Sequence, residues 1–166
     1  MPTTGMVSTR LATSAPEKPA GRLNGPEPRP QTPLGSRPGL LEVLEQPPAD
    51  HHYVKEPQPS GKSSQKMAKR AAKEWRQLQS GLPSGVTLLV FESRMDLLRA
   101  VFEGPADTPY EGGLFIIDIC LPAEYPAVPP KCFYWSYGKY LNPNLYMNGK
   151  VCLSLLGTWN GPGWEP

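Results

Sequence analysis

Apolar and polar residues change their rhythm twice along this chain. From Gln65 to Gln79 there is no Gly or Pro, and Met67, Ala71, Trp75 and Leu78 recur at intervals of four, four and three residues. That stripe predicts an amphipathic helix, opened by Ser63-Ser64 as N-cap and stopped by Gly81 and Pro83. Ala, Lys, Arg and Gln fill the other positions, all good helix formers, and Lys66, Lys69, Arg70 and Lys73 fall toward the other faces. From Val86 onward the rhythm is that of β structure. Val86 to Phe91 predicts a strand, Glu92-Ser93-Arg94 a turn, and Met95 to Glu103 a second strand with Leu98, Ala100 and Phe102 alternating on one face.

Gly104 to Gly113 is turn-rich, and Leu114 to Leu121 reads as a third strand, apolar enough to be buried on both faces. A proline-rich loop over Pro122 to Pro130 precedes a fourth strand, Lys131 to Trp135. Four successive strands with short connections predict an α+β fold: one helix packed on a four-stranded antiparallel meander. After Trp135 the pattern fades, apart from an apolar island between Val151 and Leu156. An extended non-repetitive segment at the end of a sheet is a common address for function.

Composition changes the picture at the N-terminus. The chain has 166 residues and 22 prolines, twelve of which precede Gly61. So proline-rich a stretch, poor in aromatic residues, buries too little apolar surface to offset the roughly 1–2 kcal/mol per residue lost on ordering. Residues 1–62 are therefore expected to be a disordered tail and residues 63–166 the folded domain. Leu40 to Leu44 is the tail's only apolar cluster, read either as a docking segment or as a transient helical turn.

A formal net charge of +2 is too mild to argue for nucleic acid. No apolar run approaches the roughly 20 residues that cross a bilayer, and no apolar h-region marks a secretory signal. Arg10, Lys18 and Arg22 are interspersed with prolines and with Glu17 and Glu27, which fits an organelle transit peptide poorly. Cys120, Cys132 and Cys152 form no even disulfide set, and the only histidines, His51 and His52, lie in the proline-rich stretch. No metal site is expected, and reduced thiols point to the cytoplasm or nucleus.

Candidate chemistry gathers around Cys152. Asn144 precedes it by eight residues, with Asn148-Gly149 as a turn between, so the chain can fold back and bring an amide near a thiol. A thiol is both a nucleophile and a leaving group near neutral pH, and an amide N–H can stabilise an oxyanion. The pair, without a histidine base, suits transfer of an acyl group already activated as a thioester. Composition alone also fits a plainer reading: Cys152 as a small core residue between Val151 and Leu153, and Asn144 as a turn residue.

Three ordered motifs bear on that choice. They are Thr108-Pro109-Tyr110-Glu111-Gly112-Gly113-Leu114-Phe115, the run Leu121-Pro122-Ala123-Glu124-Tyr125-Pro126-Ala127-Val128-Pro129-Pro130-Lys131, and Asn142-Pro143-Asn144 followed by Asn148-Gly149-Lys150-Val151-Cys152-Leu153. Together they resemble the ubiquitin-conjugating enzymes, whose His-Pro-Asn motif precedes the active cysteine at this spacing. Glu92 to Leu97, Leu141 to Tyr146 and Leu155 to Trp159 further resemble the large O-type enzymes of hybrid conjugating and ligase character and their plant phosphate-signalling relatives, in which Asn replaces the motif His.

The resemblance implies that Cys152 forms a thioester with ubiquitin and that Asn144 polarises the carbonyl or positions the loop. It implies that Asn142 and Pro143 structure the loop. The face with Lys66, Lys69, Arg70 and Lys73 would meet the activating enzyme. Leu121, Pro126 and Pro130 would lie in or beside a loop contacting ligases. The partners implied are ubiquitin, the activating enzyme, a ligase and a protein substrate; no cofactor is bound, ATP being consumed upstream. In that family the domain continues past the cysteine through a crossover loop and at least two helices, whereas fourteen residues follow Cys152, and Ser154 stands where an aspartate is common. The expectation is a partial core over residues 63–166 lacking the C-terminal helices and at best weakly active. The alternative function is an inactive module that binds ubiquitin or a ligase.

Overall fold

A computed structural model describes residues 37–166. Its elements in chain order are β1 (Leu40–Leu44), α1 (Gly61–Gly81), β2 (Val86–Phe91), β3 (Leu97–Glu103), β4 (Leu114–Cys120) and β5 (Lys131–Tyr134). Short 3-10 turns follow β2 at Glu92–Arg94 and lie at Ser154–Leu156. The strands form one five-stranded sheet in the order β1-β2-β3-β4-β5. The meander β2 to β5 is antiparallel throughout, as its short turns require.

The fifth strand corrects the expected boundary of the domain. Leu40–Leu44 is neither a helical turn nor part of a disordered tail: it pairs in parallel with β2, from Leu40 opposite Thr87 to Leu44 opposite Phe91. A parallel partner needs a long crossover, and the segment from Glu45 through α1 supplies it. The prolines that suggested disorder flank the strand, at Pro38, Pro47 and Pro48, and do not interrupt it. The expectations for residues 1–36, transit signal included, lie outside the described residues.

Side chains alternate along the strands, so the sheet has two distinct faces. On one, Met67 and Ala71 of α1 pack against Leu88, Val90, Leu98 and Ala100, with Leu121 and Tyr125 closing the edge. Trp75 and Leu78 complete the helical stripe against the same cluster. Burying each large side chain of this kind stabilises by about 1.5–3 kcal/mol. The helix begins at Gly61, slightly before the expected serines, with Ser60 as a cap that makes no side-chain bond.

On the other face, Tyr53, Phe91, Leu97 and Cys120 form a second cluster, with Leu44, Leu89 and Phe133 against it. Charge is buried beside it. Asp118 is fully buried and accepts hydrogen bonds from Arg99 Nε (2.6 Å) and Nη2 (2.9 Å), from Trp135 Nε1 (2.7 Å) and from the His52 backbone N–H (2.7 Å). Burial alone would raise the Asp118 carboxyl, but these donors together hold it below the usual carboxylate range. His51 Nε2–H donates to the Leu98 carbonyl (3.0 Å), and its Nδ1 accepts from the Tyr53 N–H (3.3 Å). Residues 45–58 are thereby clamped across the sheet.

β4 also differs from expectation. Only its second half is buried; Leu114 is 61% exposed, because the crossover that covers Asp118 and Cys120 does not extend over the other end of the strand.

Candidate active site

Beyond Tyr134 the chain is held by local polar contacts. Tyr134 N–H donates to the Gly149 carbonyl (2.8 Å), Trp135 N–H to Ile116 (2.9 Å), and the Ser136 hydroxyl to the Met147 carbonyl (2.7 Å). These bonds dock residues 142–152 against β5 as a small hairpin. Its register is fixed by the antiparallel bridge between Leu145 and Val151. On either side of the bridge, Cys152 N–H donates to the Asn144 carbonyl (2.8 Å) and Tyr146 N–H to the Lys150 carbonyl (3.0 Å). Asn144 therefore lies directly across the hairpin from Cys152.

The turn at Asn148-Gly149 can be built only with glycine at its second position. Gly149 has φ of +88°, and a Cβ there would stand 2.0 Å from the Phe133 ring. Phe133 in turn stacks on His52, with ring centres 3.6 Å apart and planes inclined by 4°. The N-terminal clamp thus supports the hairpin through one ring.

Asn142 uses both ends of its amide. Its Oδ1 accepts the Asn144 N–H (2.8 Å) and its Nδ2 donates to the Tyr110 hydroxyl (3.0 Å). Tyr110 belongs to the turn-rich segment before β4 and packs edge-on against Phe115. A continuous path runs from that segment through Asn142 and Asn144 to the Cys152 backbone. After the cysteine, the Thr158 hydroxyl lies 2.8 Å from the Val151 carbonyl and accepts the Leu153 N–H (3.0 Å), clipping the turn that follows.

The three thiols differ. Burial pushes Cys120 and Cys132 up to about 11, which leaves them almost wholly protonated and inert near neutrality. Cys152 is 2% exposed. The neighbouring Cys152 side chain raises the Tyr146 phenol above its ordinary value. Among the described residues no group of three or more His, Cys, Asp or Glu is placed to hold a metal, and no helix is long and apolar enough to cross a membrane.

The remaining site expectations separate. Lys66, Lys69 and Lys73 are exposed on α1, while Arg70 is engaged by Glu74, whose other oxygen accepts the Tyr125 hydroxyl (2.7 Å). Pro126 and Pro130 are half-buried, and the Pro126 carbonyl accepts the Trp164 indole N–H (2.6 Å). Leu121 is a correction: at 5% exposure it belongs to the helix-face core and offers no contact surface. Tyr110, Gly149 and Tyr146 join the site without having been expected there. Tyr110, Tyr146 and Gly149 all stand inside the motifs that carry the resemblance, Gly149 also as a turn residue.

A family model described as ubiquitin-conjugating enzyme matches residues 70–166. The chain is 48% identical over 126 residues to the probable ubiquitin-conjugating enzyme E2 23 of Arabidopsis thaliana, covering 74% of this chain and 11% of that protein. It is 51% identical over 121 residues to the putative ubiquitin-conjugating enzyme E2 38 of the same plant, covering 71% of this chain and 37% of that protein. Either share of this chain exceeds what residues 63–166 supply, so the similarity reaches into the segment before α1. A solved ubiquitin-conjugating enzyme E2 from Plasmodium falciparum superposes with a TM-score of 0.50 at 28% identity, covering 54% of this chain and 78% of that one.

Proposed function

This chain belongs to the ubiquitin-conjugating enzyme family, and from that premise we propose that Cys152 accepts ubiquitin as a thioester and passes it to a lysine. The observation that supports the reading is the hairpin register, in which the Asn144 backbone pairs with that of Cys152. Cys120 and Cys132 lie within β4 and β5, outside that hairpin, with thiols pushed up to about 11.

In the acceptor step a lysine amine attacks the thioester carbonyl, an oxyanion forms, and the C–S bond breaks to return the Cys152 thiol. Asn144 is the proposed donor to that oxyanion, and such a donor is worth about 10²–10³ in rate. Asn142 and Pro143 hold the loop: Asn142 ties the Asn144 backbone to Tyr110. Its two bonds are the acceptor-and-donor pair that a neutral imidazole offers, so Asn can fill the place of the motif His.

Ubiquitin and an activating enzyme are the implied partners, the latter on the basic face of α1, with a ligase and a protein substrate downstream. No cofactor takes part, because ATP is spent when ubiquitin is activated. The compartment is the cytoplasm or nucleus, where thiols stay reduced.

The test is charging of the purified chain with activating enzyme, ATP and ubiquitin. A reductant-sensitive adduct is expected, lost in Cys152→Ala and converted to a reductant-resistant ester in Cys152→Ser. An adduct that persists in Cys152→Ala, or binding of ubiquitin without any adduct, overturns it.

A further inference from the structure

Phe133 lies where three parts of the chain meet. It stands directly opposite Asp118 in the pairing of β4 with β5, so the two side chains share one face of the sheet. Two aromatic rings close on it there. The His52 ring lies flat against it, with centres 3.6 Å apart, and the Trp135 indole meets it edge to face at 5.4 Å and 81°. Both neighbours hang from one oxygen: Asp118 Oδ2 accepts the His52 backbone N–H and the Trp135 Nε1–H, each at 2.7 Å. An edge of the Phe133 ring rests on Gly149 in the hairpin turn, and the Gly149 carbonyl accepts the Tyr134 N–H (2.8 Å). Cys152 follows three residues later.

We infer that His52 is a positioning residue for acyl transfer: its ring serves as a flat wall that holds Phe133 against Gly149 and so sets the hairpin bearing Asn144 and Cys152. The inference rests on the reading of Cys152 as the thioester residue. His52 acts through Phe133 and takes no part as acid or base. Its fastening leaves the side chain free for this task. The bond to Asp118 comes from the His52 backbone, which any residue but proline supplies, while the ring touches Phe133 and, edge-on at 4.7 Å, Tyr53. His52 is exposed, whereas Asp118 is fully buried, so the ring can be changed without opening the core.

The mechanical argument is short. A phenylalanine with one face bare can turn about its side-chain bonds; with His52 on that face and Trp135 against it, the ring has one place to sit. Gly149 has no side chain to absorb a displacement, so movement of the ring passes straight to the turn backbone. From there it reaches the Leu145–Val151 bridge and the Asn144–Cys152 pair beside it. Misplacement by about 1 Å, even from a change far from the chemistry, can cost about 10² in rate. Thioester formation does not call on the proposed Asn144 donor, and discharge to lysine does. Loss of the His52 ring therefore falls on discharge.

The experiment measures charging and discharge separately. The full chain is charged with ubiquitin, activation is quenched, and loss of the reductant-sensitive adduct to free lysine is followed in the original chain, His52→Ala, His52→Phe and Glu56→Gln. His52→Ala should charge as before and discharge at least fivefold more slowly, with its urea midpoint close to the original. His52→Phe, which restores a flat ring without an imidazole, should recover the rate to within twofold. Glu56→Gln removes only an exposed bridge from the same segment to Lys131 and should discharge normally. Unchanged discharge in His52→Ala overturns the inference, as does failure of His52→Phe to restore it, or equal losses of charging and discharge. Discharge in Glu56→Gln as slow as in His52→Ala overturns it too, since general loosening of the segment would then be the cause. Each of these leaves the Cys152 reading standing. Absence of any reductant-sensitive adduct on the original chain overturns the Cys152 reading, and the inference falls with it.

Discussion

Residues 45–60 and residues 136–158 are alike in outline: both are irregular, rich in Pro or Gly, and laid against a finished sheet. Their fastenings differ in kind. The first is held by buried charge and rings, with Arg99, Asp118, His51 and Trp135 at the centre. The second is held by backbone groups and uncharged side chains: Asn142, Ser136, Asn148 and Thr158. A buried charge network is strong while complete and costly when broken, whereas amides and hydroxyls keep the same donors and acceptors at every physiological pH. The segment that only supports is thus sensitive to acid, and the segment that carries the nucleophile is not.

The sharpest way to break this contrast is Asp118→Ala. It leaves the Arg99 guanidinium buried without its main partner, which should cost about 3–5 kcal/mol. Denaturant unfolding should show the loss; a change below 1 kcal/mol would mean that the clamp contributes nothing. In the other segment, Asn144→Ala should leave the denaturant midpoint near its original value and thioester formation intact. Discharge to free lysine should fall by about 10²–10³. Equal losses in charging and discharge would assign Asn144 a structural role instead.

Acid should separate the two segments without mutation. Burial lowers the His51 pKa, so the folded chain binds that proton less readily than the unfolded one, whose imidazole titrates near about 6.5. Stability should be full above that pH and fall as the pH drops below it toward the lowered folded value. Protonation would also deprive the Tyr53 N–H of its acceptor, Nδ1. Asp118 adds a further loss as the pH falls from about 3.9 through its own lowered value. Urea midpoints that stay level from pH 8 to pH 5 would contradict the placement of His51.

The smallest effect sharpens the comparison most. Asn142→His should discharge thioester at near the original rate at pH 7.5, with Nδ1 accepting from the Asn144 N–H and Nε2–H donating to Tyr110. Below about pH 6 the imidazolium can no longer accept, and the rate should drop only in the variant. Parallel pH profiles for the two proteins would count against the amide as a proton-independent tie.

What was legible in the sequence follows the same division. The α1 stripe and the meander were readable because their signals are periodic and local. The hairpin was readable for a related reason: Asn142, Asn144, Gly149 and Cys152 lie within one short run, and a turn signal joins them. Leu121 was misplaced because a motif position carries no information about which way its side chain faces. The clamp was hidden because its bonds join distant residues, His51 to Leu98 across 47 positions and His52 to Asp118 across 66. Leu40–Leu44 was missed because an edge strand of five residues with three exposed positions lacks the alternation that marks a half-buried strand.

The parallel strand β1 also shields its neighbour. It occupies the backbone donors and acceptors along the outer margin of β2, a row that includes Leu88 and Val90. A chain started at residue 63 would present that row bare, and an uncovered apolar margin is a template onto which another molecule's strand can add. Removal of Leu40 to Leu44 is therefore expected to expose β2 to strand addition between molecules, apart from any question of chemistry at the thiol.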